Sequence, residues 1–280
     1  MKTITLTLTK EEIATLKHQL QAFEQRTDIP YSLFQAKLDD GSITAYQSGK
    51  VVFGGPQALI YAHSLTKENP ESAGSDEVGT GDYFGPMIVC AAYYHPKYAS
   101  ILKDLKIMDS KQISDQQLLE EVPLFVDHIP HSLLILEPLK YNEVQQTKNL
   151  NKIKAEMHQK AYDHLKQKLG FLPAFSVVDQ FTPKEKYFSY LETDYGITNL
   201  TFETKAESKY ISVALAAMIA RYTFVKYFEN MERRYRCPFP KGSGTLVDEA
   251  GRHFVGIHGQ AALKNVAKLH FKNTERIIGS

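Results

Sequence analysis

The sequence has 280 residues, more than the roughly 100–200 residues of a typical single domain, which predicts two domains. It carries 33 lysine and arginine residues against 32 aspartate and glutamate residues, and the resulting formal net charge of +1 excludes a strongly basic, histone-like protein. The two cysteines, Cys90 and Cys237, form no CxxC pair, which argues against a disulfide framework and against a thiolate catalyst.

The sequence predicts a small α+β domain over residues 1–66. The opening TITLTL alternates in the manner of a half-buried strand, and Thr9 then caps a helix with apolar residues at helical spacing. Three short strands follow, separated by the hairpin signals Asp40-Gly41 and Ser48-Gly49. A helix that begins at Pro56 completes the order β-α-β-β-β-α.

The N-terminal sequence MKTITLTLTKEE lacks the apolar centre of a signal peptide. No apolar run approaches the roughly 20 residues that span a bilayer. We therefore expect a soluble, cytoplasmic protein with no membrane partner.

Residues 67–74 are predicted to be a linker, because TKENPESAGS is polar and contains Pro70 and Gly74. Residues 75–280 alternate strands and helices, which predicts an α/β domain with a mixed sheet flanked by helices. The predicted strands are MIVCAAYY, HSLLILEPL and FSVVDQF. The predicted helices are SDQQLLEEVPLFVDHI, NLNKIKAEMHQKAYDHLKQKL and SKYISVALAAMIARYTFVKYFENMERRY.

The segment GSDEVGTGDYFGP places two acids, Asp76 and Glu77, directly before a glycine turn. Neighbouring side chains on a strand point to opposite faces, so the pair can share one site only if the turn begins there or a second site lies across the first. The turn, Gly79-Thr80-Gly81, lets backbone amides approach a ligand closely. It matches neither the P-loop nor the GxGxxG fingerprint of dinucleotide-binding proteins.

Two further acids are candidates for the same site. Asp179 ends the apolar run FSVVDQF, where ligands bind in open α/β sheets, although a helix cap or a surface-loop acid is an alternative. Glu207 opens a long apolar helix, where the ordinary role of an acid is to complement the helix dipole. Three nearby acids are rivals for this fourth position: Asp82, Glu203 and Asp248.

Carboxylate ligands without histidine or cysteine suit a hard cation, Mg²⁺ or Mn²⁺. Two such ions about 4 Å apart can activate a water and stabilise the leaving oxygen of a phosphodiester. The acids therefore favour phosphoryl transfer. The residue pattern alone does not identify the reaction more closely.

Four separated segments resemble one known family in order and spacing. They are SDEVGTGDYFGPMIVCAAY, MDSKQIS, VVDQF and KAESKYISVALAAMIAR. Together they resemble the type 2 ribonucleases H, and in particular the bacterial ribonuclease HIII branch, over residues 72 to about 260. The preceding α+β unit looks like that family's N-terminal domain, which is similar to a repeat of the TATA-box-binding protein.

This resemblance implies a ribonuclease H-like fold. It also implies endonucleolytic hydrolysis of the RNA strand of RNA/DNA hybrids with Mg²⁺ or Mn²⁺, giving 5′-phosphate and 3′-hydroxyl ends. The family's catalytic and metal-binding acids correspond to Asp76, Glu77, Asp179 and Glu207. The Gly-Thr-Gly turn and a glutamate as the fourth acid look like the HIII branch rather than HII, and no obligate protein partner is evident, so we expect a monomer.

Substrate contacts are expected in three places. The amides of Gly79, Thr80 and Gly81 are positioned to sense the 2′-hydroxyl that distinguishes RNA from DNA. The family match suggests backbone contacts from Ser110 and Lys111, and the TBP-like domain is expected to bind the hybrid through Tyr46, Gln47 and Lys50. Three lysines, Lys264, Lys268 and Lys272, recur every four residues and predict a stripe on one helix face, either solvated or hybrid-binding.

Two other functions stay open from the sequence. One is a different two-metal nuclease that acts on structured, for example branched, DNA. The other is a catalytically silent hybrid-binding protein, although such a protein has no need to hold four mutually repelling carboxylates together.

Overall fold

The chain is described by a computed structural model, which covers residues 3–66, 70–105, 107, 113–191 and 196–279. It divides into two compact units, Met1–Glu71 and Ser72–Ser280.

The first unit contains one antiparallel sheet in the order β1-β5-β4-β3-β2. Its elements are β1 (Thr3–Thr7), α1 (Lys10–Gln19), β2 (Glu24–Arg26), β3 (Ser32–Leu38), β4 (Gly41–Tyr46), β5 (Lys50–Gly54) and α2 (Pro56–Thr66). Strand β2 is absent from the predicted order, because its three residues, EQR, are all polar and carry no alternating pattern.

Both helices of the first unit cover the same face of the sheet. Ile13 and Leu16 of α1 and Ala58 of α2 share a core with Phe34 on β3. Alternate residues of β3 are buried, so its other face, with Leu33, points away from this core. The predicted cap of α1 is confirmed, since the Thr9 hydroxyl accepts from the Glu12 amide at 3.2 Å and the Glu12 carboxylate accepts from the Thr9 amide at 2.8 Å.

The second unit contains a mixed sheet in the order β10-β9-β6-β7-β8. Its strands are β6 (Ser72–Val78), β7 (Met87–Tyr94), β8 (His131–Leu136), β9 (Ser176–Asp179) and β10 (Thr201–Glu203). Its helices are α3 (Ala99–Leu102), α4 (Asp115–Glu121), α5 (Pro138–Gln145), α6 (Leu150–Leu169), α7 (Lys184–Ser189), α8 (Ile211–Tyr235), α9 (Thr245–His258) and α10 (Lys272–Ile278). Short 3₁₀ helices lie at Pro96–Tyr98, Val122–Leu124, Ala206–Ser208 and Gln260–Asn265.

The sheet of the second unit lies between two hydrophobic cores. Strand β7 contributes to both, since Cys90 packs in the core that contains α8 and Val89 packs in the core that contains α6. Strands β6, β7 and β8 are antiparallel, whereas β9 is parallel to β6 and to β10. The predicted mixed sheet with helices on its faces is confirmed.

Helix α8 has the length and the apolar composition of a membrane span, with a mean hydropathy of 1.3 over its most apolar window. However, 67% of that window is buried inside the second unit. Because α8 packs on β6 and β7 with most of its apolar side chains in the core, we interpret it as the central helix of this unit.

The predicted linker over residues 67–74 is wrong for residues 72–74, which open strand β6. A Cβ atom on Gly74 would lie 2.3 Å from the amide nitrogen of Val213, so glycine is required for β6 to pack against the start of α8. The small residues of this segment therefore serve close packing rather than flexibility. Residues 67–69 lie outside the described part of the chain.

Two predicted elements of the second unit are shorter in the structure. The strand HSLLILEPL ends at Leu136, because Pro138 begins α5. The helix predicted to begin at Ser114 has the expected cap, but it gives way after Glu121 to a short 3₁₀ helix.

Candidate active site

Asp76 and Glu77 lie near the end of β6 and leave the strand on opposite faces. Asp76 pairs with Cys90 across the antiparallel ladder, and Glu77 pairs with Val89. Since paired residues share a face, Asp76 lies on the α8 side of the sheet and Glu77 on the α6 side.

Strand β9 brings a third acid next to this pair. Val178 pairs with Ser75 across the parallel strands, so Asp179, one residue further on, lies level with Asp76 and on the same face. The predicted position of Asp179 at the end of a buried strand is confirmed.

The fourth acid, Glu207, lies in the 3₁₀ helix Ala206–Ser208 rather than in the long helix that follows. Lys205, with a φ of 55°, turns the chain immediately before it, and the amide of Ala206 donates to Oδ1 of Asp179 at 2.8 Å. Glu207 is only 3% exposed. Asp179 is thus tied to the turn that carries Glu207, and both acids contribute to one charged environment.

The carboxyl group of Asp76 experiences this environment directly. Burial raises its pKa well above the usual value, and the neighbouring charges of Glu77, Asp179 and Glu207 raise it further. A hydrogen bond from the amide of Glu77, at 2.7 Å, acts in the opposite direction. The structure therefore brings Glu77, Asp179 and Glu207 close enough to Asp76 to oppose its ionisation.

Glu77 is held in a different way. Its Oε1 forms an ion pair with the ammonium group of Lys154, and its Oε2 accepts from Nε2 of His158 at 2.8 Å. Burial alone raises the pKa of Glu77, but the hydrogen bond and charge of His158, followed by those of Lys154, outweigh it and lower the pKa below its usual value.

Sequence reasoning missed Lys154 and His158. They are four residues apart on α6 and therefore lie on one helix face, and both are buried. The available signal was a lysine and a histidine at the positions of an amphipathic helix where apolar residues are expected. Their partner, Glu77, is 77 residues away from Lys154 in the sequence, so local pattern could not identify it.

The glycine turn begins immediately after β6. Gly79 is buried with a φ of 90°, and a Cβ atom there would lie 2.2 Å from the carbonyl oxygen of Pro86. Thr80 is half-buried and Gly81 is exposed, with no heavy atom within 4 Å of the position that a Cβ would take. The turn is therefore rigid at Gly79 and accessible at Gly81.

The three rival acids have other contacts. Oδ1 of Asp82 accepts from the amide of Gly242 at 2.6 Å, and Glu203 forms an ion pair with Lys209 at 2.7 Å. Asp248 is buried between α9 and α10, where its carboxylate accepts from Arg276 at 2.6 Å. Each of these three carboxylates is therefore engaged by a contact outside the four-acid cluster.

The predicted substrate-binding residues are distributed over both units. Tyr46 ends β4 and is half-buried, whereas Gln47 and Lys50 are exposed in and after the turn to β5. All three belong to the first unit. Ser110 and Lys111 lie outside the described residues.

The predicted lysine stripe is wrong. Lys264 lies in the 3₁₀ helix Gln260–Asn265, and Lys272 begins α10. Lys268, between them, is fully buried and donates to the carbonyl oxygens of Phe84, at 3.3 Å, and Gly85, at 2.6 Å. A four-residue spacing places side chains on one face only within a continuous α-helix, and this segment is not one.

The donor set of the four acids consists of carboxylate oxygens, which fit a hard divalent cation. Within the described ranges, the acidic, histidine and cysteine side chains do not form a group of three already arranged around one ion position. Glu77 is turned toward Lys154 and His158, and Asp179 toward the Ala206 amide. The carboxylate chemistry of the four acids therefore fits a divalent metal centre.

The chain matches two family models. Residues 73–274 match the model described as Ribonuclease HII, and residues 3–77 match a Domain of unknown function (DUF3378). Ribonuclease HIII of Lactococcus lactis subsp. lactis strain IL1403 is 34% identical, and the alignment covers 98% of each chain. Ribonuclease HIII of Bacillus pumilus strain SAFR-032 is 37% identical over 97% of each chain.

Solved structures agree with these matches. The crystal structure of Bst-RNase HIII in complex with Mn²⁺ superposes with a TM-score of 0.74 at 30% identity, covering 99% of this chain and 98% of that one. The ribonuclease H2 from Pyrococcus horikoshii OT3, at 23% identity and a TM-score of 0.62 over 74% of this chain, shares the fold. From the family model and from near-full-length relatives above 30% identity, we conclude that the chain belongs to the ribonuclease HIII family.

Proposed function

We propose that the chain is an endonuclease that hydrolyses the RNA strand of RNA/DNA hybrids and leaves 5′-phosphate and 3′-hydroxyl ends. As a member of the ribonuclease HIII family it is a ribonuclease H enzyme. The observation that carries the proposal is the cluster of four acids on β6, β9 and the 3₁₀ helix Ala206–Ser208, in which the charges of Glu77, Asp179 and Glu207 oppose the ionisation of Asp76.

The four acids, Asp76, Glu77, Asp179 and Glu207, are the proposed ligands of Mg²⁺ or Mn²⁺. The Mn²⁺ complex of the related Bst-RNase HIII supports this choice of cation. When bound, two such ions activate the attacking water and stabilise the leaving oxygen of the phosphodiester. The chain's own contribution is orientation, because the Ala206 amide fixes Asp179.

The glycine turn is proposed to select RNA. Its amides, at Gly79, Thr80 and Gly81, directly follow the acidic strand, so a nucleotide at the acids places its 2′-hydroxyl near the turn. Replacing Thr80 with arginine is expected to leave Mn²⁺ affinity unchanged, because Thr80 contributes no carboxylate, and to slow hybrid cleavage. Calorimetric titration with Mn²⁺ checks the first half, and a large loss of affinity would contradict this division of roles.

The first unit is proposed to hold the hybrid through Tyr46, Gln47 and Lys50. An aromatic ring, an amide and a cation on or beside neighbouring strands suit contacts with a nucleic-acid backbone. We further infer that the chain acts as a monomer in the cytoplasm.

The direct test uses four end-labelled substrates with the native chain: RNA paired with DNA, RNA paired with RNA, DNA paired with DNA, and a branched DNA. Cutting of the RNA strand of the hybrid, with Mg²⁺ or Mn²⁺ and not with EDTA, is the expected result. Cutting of branched DNA instead would favour a different two-metal nuclease. Tight hybrid binding without cutting would favour a binding protein.

A further inference from the structure

Both oxygens of the Glu77 carboxylate are engaged by one face of α6. The Lys154 ammonium group contacts Oε1, and Nε2 of His158 lies 2.8 Å from Oε2. A carboxylate accepts hydrogen bonds but does not donate them, so Nε2 of His158 carries the hydrogen of this contact. A divalent ion that binds Glu77 must therefore share this carboxylate with two existing partners.

Lys154 is built into the interior. Its side chain is only 9% exposed, and its Nζ lies 3.9 Å from the centroid of the Phe181 ring, where the π-face stabilises a cation. Lysine is rarely buried unless it is paired, and the charge that pairs with it here belongs to the acid cluster. The position of this ammonium group is therefore determined by the site rather than by solvent.

His158 is placed differently. It is fully buried, and its Nδ1 lies 2.8 Å from the hydroxyl oxygen of Ser75, which is on the same strand and face as Glu77. The imidazole thus bridges two β6 side chains and fixes the direction in which the Glu77 carboxylate points.

We propose that Lys154 is the resident counter-cation of the acid cluster. Its ammonium group neutralises Glu77 in the metal-free enzyme and opposes the entry of the divalent ion, whereas His158 orients Glu77 for that ion. The inference rests on the proposed metal-binding role of Glu77. It assigns opposite effects on the affinity for the metal ion to two neighbouring residues of one helix face.

The opposite effects of Lys154 and His158 on metal affinity have two physical causes, charge repulsion and carboxylate orientation. An ammonium group beside Oε1 repels an incoming divalent cation and partly neutralises the negative charge that attracts it. Removal of Lys154 therefore increases the affinity of the cluster for the metal ion. Removal of the His158 hydrogen bond leaves Oε2 of Glu77 without its orienting partner, which weakens ion binding as loss of an outer-shell partner generally does.

The test is calorimetric titration of the metal-free full chain with Mn²⁺ alone. Lys154→Met, which keeps the length of the side chain over Phe181, is expected to bind Mn²⁺ roughly 10-fold more tightly than the native chain. Lys154→Arg retains the charge and is expected to stay near native affinity. His158→Leu is expected to bind about 10–100-fold more weakly, with partial rescue in His158→Gln.

Thermal unfolding provides a second readout. It distinguishes a counter-cation from a purely structural lysine, because only the counter-cation role makes the effect of Lys154→Met on the melting temperature depend on Mn²⁺. Loss of the buried counter-cation lowers the melting temperature of Lys154→Met in EDTA, and saturating Mn²⁺ narrows the difference from the native chain, because metal binds this variant more tightly. A purely structural lysine would produce the same difference with and without Mn²⁺. If Lys154→Met does not fold in EDTA, Lys154→Gln replaces it in both measurements.

The failure of this inference can be distinguished from failure of the proposed function. If the native chain binds Mn²⁺ and cuts the hybrid, but Lys154→Met binds Mn²⁺ equally or more weakly, only the counter-cation role is overturned. If the native chain takes up no Mn²⁺, both the metal centre and the counter-cation role fall.

Discussion

Asp76 and Glu77 are adjacent acids with opposite electrostatic environments. Asp76 faces the α8 side, and burial together with the charges of Glu77, Asp179 and Glu207 raises its pKa. Glu77 faces α6, where His158 and Lys154 lower its pKa against the effect of burial. Alternation along β6 therefore places the two carboxylates on opposite faces while keeping both near the same end of this central strand.

The turn after these acids gives a matched pair of residue-scale predictions. Gly79→Ala is expected to lower the free energy of unfolding by at least about 2 kcal/mol, because the positive φ strains alanine and its Cβ would meet the Pro86 carbonyl oxygen. Gly81→Ala is expected to change it by no more than about 0.5 kcal/mol, because the site is open. Urea denaturation of both variants checks this, and equal effects would contradict the assigned geometry.

At the scale of elements, the segment from the 3₁₀ helix Gln260–Asn265 to α10 supports the loop after β6. The Lys268 amide donates to the carbonyl oxygen of Tyr83 at 2.8 Å, and the Gly85 amide donates to that of Val266, also at 2.8 Å. The Lys268 side chain adds its contacts to the carbonyl oxygens of Phe84 and Gly85. The C-terminal segment therefore holds the loop that contains the glycine turn.

Lys268→Met is expected to destabilise the chain by about 1–3 kcal/mol for each buried carbonyl that loses its donor. The matched control is Lys264→Met, because Lys264 is exposed in the neighbouring 3₁₀ helix. Thermal and urea unfolding of the two variants should differ clearly. A destabilisation by Lys264→Met as large as that by Lys268→Met would contradict the assigned contacts.

The contact between α9 and α10 gives a prediction about pH. The hydrogen bond from Arg276 lowers the pKa of Asp248 below the usual value for an aspartate, although burial opposes this shift. A carboxyl group with a lowered folded-state pKa stabilises the fold fully above its unfolded pKa, and this stabilisation is lost as the pH falls through the folded pKa. The stability difference between the native chain and Asp248→Asn should therefore be constant well above the usual pKa of an aspartate and shrink as the pH falls below that value. A difference that grows on acidification would contradict this pairing.

Much of this architecture could be predicted from local patterns. Alternation, caps and turn residues predicted the helices α1 and α6 and the strands around them, because these signals depend on neighbours in the chain. The alternation of strands and helices predicted the mixed sheet, and the resemblance predicted the family; both are confirmed. The lysine stripe and the linker were mispredicted at Lys268 and Gly74, where contacts with distant elements determine the structure.

The same reasoning explains what was missed in the site. The ion pair between Glu77 and Lys154 joins β6 to α6 across the core, and nothing near either residue in the sequence indicates the other. Glu207 was assigned from family position, since a glutamate at the start of a helix has an ordinary role there. Its place beside Asp179 depends on the turn at Lys205, which has no strong sequence signal.

At the scale of the whole molecule, the two units have different proposed roles, the second for chemistry and the first for holding the hybrid. Lys50→Ala is expected to raise the KM for the hybrid, leave kcat unchanged, and reduce the dependence of log affinity on log salt by about one. Gln47→Ala is expected to raise KM without changing that salt dependence, since an uncharged amide releases no counterions.

Lys10→Ala is the control for the first unit, because Lys10 is exposed at the start of α1, on the helical side of the sheet. Steady-state kinetics and filter binding at several salt concentrations provide the readouts. An unchanged KM in Lys50→Ala and Gln47→Ala would contradict the proposed role of the first unit.

The central claim is that Asp76, Glu77, Asp179 and Glu207 form one metal centre that cuts RNA in hybrids. The most direct measurement is metal-dependent cleavage of an end-labelled RNA strand paired with DNA, by the native chain and by Asp76→Asn, Glu207→Gln and Asp248→Asn. We predict that the first two variants lose cleavage and that Asp248→Asn retains it at a temperature where it is folded. Cleavage that survives Glu207→Gln but is lost in Asp248→Asn would contradict the assignment.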